Sequence, residues 1–373
     1  MTAKLPPDAT GIVTIDLGVL QDNWRALSAL VAPAECGAVV KADAYGLGAS
    51  EVIPALVRAG CRTFFVATPD EARAARLLAP KARLFALDGL FPGAAPLLLA
   101  ADVAPVLSSL EEVMEWSNVA SRAGRRVPAA LQVDTGLNRL GLSAGDVKAL
   151  EADPSLLEAL DLRLVMSHLA CADDPSDPHN AKQRSVFNRR RASLPEAPAS
   201  LAASDGLMLG KAFHYDLVRP GYALYGGQAF RGGATPVKPV VTVEARVLQV
   251  RTLKTGESVG YSATWTASRR TRLAVVAAGY ADGFARALSA ASSKTGGAVL
   301  VAGQRAPVVG RVSMDLITVD ITDIDGPVAR GDLVTLVGPG STIEAMGKAS
   351  GTIGYEVLTR LGPRFVRRHT GGS

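Results

Sequence analysis

Between about residues 30 and 230 the chain alternates between two textures. Short apolar runs recur: GAVVKA (37–42), TFFVAT (63–68), RLFALD (83–88), DVAPVLS (102–108), AALQVD (129–134), RLVMSH (163–168), SLAAS (200–204) and GYALYG (221–226). Their length and near-continuous apolarity read as strands buried on both faces. Between them lie longer segments with apolar residues at helical spacing, at 50–60, 69–80, 109–124 and 180–194. Ser50, Thr68, Ser109 and Ser143 stand where helix N-caps are expected. Strands alternating with helices predict a parallel sheet with helical crossovers, and eight of them in about 200 residues predict a (β/α)₈ barrel. A doubly wound open sheet is the rival. It wants a complete glycine-rich dinucleotide loop, and GLGASE (46–51) lacks the third glycine.

The texture changes after RGGATPVKP (231–239). The runs at 240–253, 272–280, 298–303, 306–322 and 332–338 are rich in β-branched residues and separated by glycine-containing turns. They predict a mostly antiparallel β-domain. The division expected is a barrel over 12–233 and a β-rich domain over 234–373. The early run GIVTIDL (11–17) is a spare strand that fits either one.

Composition narrows the classes of function. The chain has 373 residues, 48% of them hydrophobic, which suits two packed domains. Its net charge of +5 is spread along the sequence apart from NRRR (188–191) and RFVRRH (364–369), so a nucleic-acid partner is not expected. Cys36, Cys61 and Cys171 form no paired motif, which suits a reducing compartment. The first residues lack the apolar core of a signal peptide, and no uncharged stretch is long enough to span a bilayer. A cytoplasmic protein with no membrane partner is expected.

In a (β/α)₈ barrel, chemistry sits in the loops that follow the strands. Lys41, Asp134, His168, Ser204 and the pair Arg219 and Gly221 all fall just after predicted strands. One such residue means little, but several suggest a shared pocket. A lysine at an apolar barrel mouth loses solvation when charged, which favours the neutral amine, a nucleophile able to form an imine with an aldehyde. A lysine so placed can equally snorkel to solvent or pair with Asp43. The neighbours favour the first reading. Ser204, Gly221 and Tyr45 could supply hydroxyls and backbone N–H groups to a phosphate. His168 could stack on a pyridine ring, and Arg219 could reach its nitrogen. GLSAG (141–145) matches a hydrolase nucleophile elbow, but about ten residues separate Ser143 from its strand, so Ser143 reads as a helix cap. GSTIEAMGKA (340–349) fails as a P-loop at Thr342 and Ala349. The four histidines and three cysteines show no metal-ligand spacing.

Taken in order, AVVKADAYGLG (38–48), VDTGLNRLGL (133–142), SHLACAD (167–173), LVRPGYALYG (217–226), VGYSATW (259–265), AAGYADGFAR (277–286), GRVSMDL (310–316) and GYE (354–356) resemble the alanine racemase family of fold-type III pyridoxal-phosphate enzymes. The resemblance implies a head-to-tail homodimer and racemisation of L- and D-alanine, with supply of D-alanine to peptidoglycan. It implies that Lys41 carries pyridoxal 5'-phosphate as an imine. Tyr45, Ser204, Gly221, Tyr355 and the backbone of Tyr222 would hold the phosphate. His168 would stack on the ring, and Arg219 would face its nitrogen. Arg139 would contact the cofactor's phenolic oxygen and the substrate carboxylate. Tyr261 and Met314 would come from the partner subunit, and Asp173, Tyr280 and Arg286 would line the access to the site. Lys41 and Tyr261 would be the two bases.

Two departures stand out. Gln132 occupies the position where many members carry a carbamylated lysine that braces the arginine. Its amide oxygen could accept a hydrogen bond from Arg139, alone or with a small anion. Ala203 stands where relatives often have asparagine, which puts one phosphate contact in doubt. The alternatives are a broad-specificity or serine racemase on the same scaffold, a fold-type III decarboxylase, and a non-catalytic cofactor-binding barrel. The decarboxylase would lack the set formed by DTGLNRLG and VGYSATW, and the non-catalytic barrel would lack the second domain with Tyr261.

Overall fold

The computed structural model describes residues 5–228 and 230–372. The chain divides into two compact units, one of residues 20–237 and one of residues up to Val19 with Lys238 onward.

The first unit is a (β/α)₈ barrel. Seven parallel strands run in sequence order: Ala38–Val39, Thr63–Val66, Arg83–Ala86, Ala104–Leu107, Val127–Gln132, Leu160–Met166 and Ala199–Ser200. Closure comes from Leu217–Val218, which pairs in parallel with Glu35–Cys36. The Gly37 and Val39 amides donate to Val218 and Pro220 at 2.9 and 2.8 Å. On the other edge a parallel bridge joins Ala203 to Arg219. Thr63–Val66, Ala104–Leu107 and Val127–Gln132 are buried at every position, as strands between a filled barrel interior and a helical layer must be. Phe65 and Phe85 stack inside at 4.9 Å. The eighth strand is therefore Leu217–Val218 and not GYALYG, which winds into a 3₁₀ turn over Tyr222–Tyr225. The Gly221 and Ala223 amides are taken up by Ser204 Oγ at 3.0 and 3.1 Å, so this segment has no sheet partner to seek.

Three of the four expected caps are in place. Thr68, Ser109 and Ser143 accept from the N3 amides of the helices Pro69–Leu78, Leu110–Ala123 and Ala144–Ala152. Ser143 and Asp146 form a full capping box. Ser50 instead lies inside the helix Ala49–Ala59, whose N-cap is Gly48. Asp43 Oδ1 accepts the Ala49 amide at 2.7 Å and does the capping from outside the helix. The P-loop-like segment is also a cap: Thr342 Oγ1 accepts the Ala345 amide at the start of Ile343–Ala349.

The second unit is built on the long strand Val241–Leu253, whose burial alternates along its first half as expected for a sheet with one solvated face. It pairs antiparallel with Thr271–Val276 and with Leu333–Val337. The spare strand Gly11–Asp16 belongs here, antiparallel to Val241–Leu253 and parallel to Val366–Thr370. Ala298–Val301, Gln304–Pro307 and Ile317–Asp320 complete the sheet. Among the described residues, no helix is long and apolar enough to cross a membrane.

Candidate active site

Lys41, Asp134, His168, Ser204, Arg219 and Gly221 each lie beyond the C-terminal end of a barrel strand. Lys41 follows Ala38–Val39 and opens a turn, Lys41–Gly46, with an unusual backbone. Ala42, Asp43, Ala44 and Tyr45 all have φ between 53° and 60°, four non-glycine residues in a left-handed helical turn that Gly46 ends at 80°. Each L-residue so placed costs roughly 1–2 kcal/mol, so the turn must be held by its surroundings. The Ala44 amide donates to Val40 O at 2.9 Å and the Gly48 amide to Asp43 O at 3.0 Å. Glu71, from the next βα unit, accepts the Ala42 amide at 2.7 Å.

The turn delivers Tyr45 to the barrel interior, where it is buried against Tyr225 with ring centroids 4.9 Å apart. Burial pushes the Tyr45 phenol up, so it acts as a hydroxyl. A Cβ on Gly221 would collide with Tyr45 Oη, so only glycine leaves room at this spot. Ser204 Oγ, the Gly221 and Ala223 amides and Tyr45 Oη thus form a small cradle of hydrogen-bonding groups.

Arg219 is 2% exposed. Its NH2 group donates to Ser167 O at 2.7 Å, its NH1 group bonds Ser200 Oγ, and its guanidinium lies 6.0 Å from the Phe65 ring centre. Burial brings it down to about 9, so it stays cationic at neutral pH. His168 is pushed down to about 3, first by burial and then by Arg219, Arg139 and Lys41. It is a neutral ring at physiological pH. Among the described residues, three cations and no carboxylate act on this one ring. Such a pocket suits a bound anion, and the cradle suits a phosphate.

Sequence reading missed the groups that hold this set. Gln183 on the helix Pro178–Arg191 is fully buried. Its Oε1 accepts the Ala170 amide at 2.8 Å, and its Nε2 donates to His168 O at 3.0 Å and Thr135 Oγ1 at 3.1 Å. Thr135 Oγ1 in turn meets Ser167 Oγ at 2.9 Å. The available signal was Ser167, Ser200 and Thr135 themselves, hydroxyls at the ends of otherwise apolar strands.

Gln132 is buried, and its Nε2 donates to Leu140 O at 2.9 Å. It thereby braces the backbone next to exposed Arg139. Among the described residues no hydrogen bond joins the two side chains. Asp173 lies on the loop after His168 and pairs with Arg231 at 2.8 Å.

Asp205, directly after Ser204, is raised to about 6 by burial and then by Asp173. Its ordinary value is 3.8, so the fold favours the protonated acid, and stability is lost as pH rises from about 4 to about 6. Asp205→Asn should therefore gain about 2 kcal/mol over wild type at pH 8 and almost nothing at pH 4. Denaturant unfolding at the two pH values checks this, and an equal gain at both would refute it.

The remaining candidates lie in the second unit. Tyr261 opens a 3₁₀ turn and is 69% exposed. The Tyr280 and Ala281 amides donate to Ser313 O and Met314 O, which sets Tyr280 beside Met314. Buried Asp282 fixes this loop by a two-pronged pair with Arg364, at 2.7 and 2.6 Å. Arg286 is exposed and Tyr355 half-buried. Among the described residues no cluster of His, Cys, Asp or Glu is placed to hold a metal.

The fold and the barrel mouth define an enzyme of the (β/α)₈ type with an added β-domain. Family models sharpen that class: the alanine racemase N-terminal domain matches residues 15–229, and the C-terminal domain matches residues 240–369. A catabolic alanine racemase from Agrobacterium fabrum is 47% identical over 97% of this chain and 92% of its own length. An alanine racemase from Rhodospirillum rubrum is 48% identical over 97% and 96%. The crystal structure of alanine racemase from Bartonella henselae with covalently bound pyridoxal phosphate superposes with a TM-score of 0.93 at 41% identity, covering 97% of this chain and all of that one. The chain belongs to the alanine racemase family, isomerases acting on amino acids.

Proposed function

We propose that this protein racemises alanine with pyridoxal 5'-phosphate held at the barrel mouth and Lys41 and Tyr261 as its two bases. The observation that carries the reading is the cationic pocket around neutral His168, next to the cradle of Ser204, Gly221 and Tyr45. The cofactor, when bound, supplies an electron sink that acidifies the substrate Cα–H. Lys41 would hold it covalently. Ser204, Tyr45, Tyr355 and the backbone of Gly221 and Tyr222 would bind its phosphate. His168, kept neutral, offers a flat face to the ring. Arg219 stays charged and has no proton acceptor function, so facing the ring nitrogen it would disfavour a proton there and would limit side reactions. Arg139 would orient the substrate carboxylate. Lys41 Nζ would take or return the proton on one face of the substrate carbon, and Tyr261 Oη of a second copy would do so on the other. Met314 of that copy would flank the substrate, with Asp173, Tyr280 and Arg286 along the access route.

Exposure supports the second copy. Tyr261, Tyr280, Met314 and Leu316 are all large apolar side chains left at the surface of the second unit, as expected for an interface. Activity should fall when the protein is diluted below the dissociation constant of the homodimer, and a fully active monomer would contradict the scheme.

The direct test is to purify the protein, record the visible absorption of bound cofactor, and follow optical activity with L-alanine, L-serine and L-lysine. Comparable rates on serine or lysine would favour the broad-specificity alternative. Supply of D-alanine to peptidoglycan in the cytoplasm is the proposed role. The catabolic description of the Agrobacterium fabrum relative supports a second reading, use of alanine as a nutrient. Gene disruption separates them: D-alanine dependence supports the first, and failure to grow on alanine alone supports the second.

A further inference from the structure

Glu71 and Glu112 perform similar tasks in βα units separated by one other, that of Arg83–Ala86 and Ala95–Ala100. Each sits at the third position of a helix whose N-cap is a hydroxyl, Thr68 or Ser109. Each returns one carboxylate oxygen to its own strand-end loop: Glu71 Oε2 accepts Ala67 N at 2.7 Å, and Glu112 Oε2 accepts Ser108 N at 2.6 Å. Each then gives its other oxygen to the loop of the preceding unit. Glu112 Oε1 accepts Leu90 N at 3.0 Å, and Glu71 Oε1 accepts Ala42 N at 2.7 Å. The device is shared, but what it holds differs. The loop at Leu90 carries none of the candidate site residues. The loop at Ala42 begins one residue after Lys41 and enters the left-handed turn that L-residues resist.

We propose that Glu71 is a positioning residue for Lys41: its carboxylate clamps the Ala42 amide and fixes the backbone from which the lysine side chain projects. The inference rests on the reading of Lys41 as the cofactor-bearing base. It follows from the geometry because the Ala42 N–H is the first donor of the strained turn. An acceptor anchored at a helix N-terminus resists the relaxation that would swing Lys41 away. A carboxylate can also serve both amides at once. A glutamine has one acceptor oxygen, so one of the two amides would face an N–H group instead.

The test compares Glu71→Gln with Glu112→Gln, a change matched in chemistry and burial, although only Glu71 also takes its N-cap amide, that of Thr68, at 3.4 Å. Both should lower the unfolding midpoint to a similar degree. Only Glu71→Gln should lower kcat, by about ten- to a hundredfold as expected for a misplaced catalytic group, with KM for alanine within about threefold of wild type. Only Glu71→Gln should speed amide hydrogen exchange in the 40–49 segment of cofactor-free protein, by about tenfold or more. If Glu71→Gln matches Glu112→Gln in kcat and in exchange of that segment, the proposal is overturned. If Lys41→Ala retains racemisation, the reading of Lys41 fails instead. The exchange comparison still decides whether Glu71 holds the turn.

Discussion

Lys41→Ala is expected to lower racemisation of L-alanine by at least about 10³-fold, the scale for removal of a positioned base. It should also abolish the visible absorption of bound cofactor. The fold should survive, because the turn is held by backbone groups and by Glu71 and Asp43, none of which needs the lysine side chain. Tyr261→Phe makes the complementary case. Tyr261 is exposed in its own unit, so its hydroxyl carries little of the packing. That variant should retain the cofactor band and lose turnover by a similar factor. A Lys41→Ala protein with an unchanged band and unchanged activity would sink the proposed function, whereas an active Tyr261→Phe protein would remove only the second base.

The second large effect is expected at Gly141. Its φ is +129°, and a Cβ there would lie 2.5 Å from Asp134 N and 2.9 Å from Val133 C. Both atoms are backbone, so no side chain can swing aside. The close approach is built into the pairing of this segment with the barrel strand. The Leu142 amide donates to Gln132 O at 2.8 Å and the Asp134 amide to Leu142 O at 3.1 Å. Arg190 reaches Asp134 O and Leu142 O from the helix behind. Gly141→Ala should cost about 3 kcal/mol in denaturant unfolding, the range for a strained backbone position with a forced shift. Because Arg139 rides on the same loop, KM for alanine should rise as well. A variant with wild-type stability and wild-type KM would show that the loop yields freely.

The barrel was legible in the sequence because its strands are short, apolar on both faces and spaced by amphipathic helices. The caps at Thr68, Ser109 and Ser143 were legible because the motif is local. What escaped prediction was non-local. GYALYG looks like a strand by composition, yet its amides are claimed by Ser204, many residues earlier. Ser50 looks like a cap, yet Asp43 folds back to do that work. Nothing in Ala-Asp-Ala-Tyr announces a left-handed turn, since none of these residues prefers it as strongly as glycine. The candidate residues of the barrel were found together because they share a position, just after a strand. Gln183, which ties Thr135, His168 and Ala170, was missed because its helix carries it among polar neighbours such as Lys182 and Arg184. The Gln132 amide oxygen was expected to accept from Arg139; the bond the sequence did not announce is the one its Nε2 donates to the Leu140 carbonyl.

The strand Gly11–Asp16 has a consequence for the order of events at the ribosome. It is made before the barrel, yet Ile12 pairs with Val366, so the whole stretch between them must emerge before its last neighbour exists. Translation at roughly 5–20 residues per second leaves it waiting on the order of ten seconds or more. Residues 20–237 need nothing from it for their own sheet and can close first. The first edge of Gly11–Asp16 can be covered once Val241–Leu253 follows the barrel out, but its second edge stays bare until Val366–Thr370 is made. A strand with an unpaired edge is open to pairing with another chain, so this edge is exposed to that risk for as long as the wait lasts.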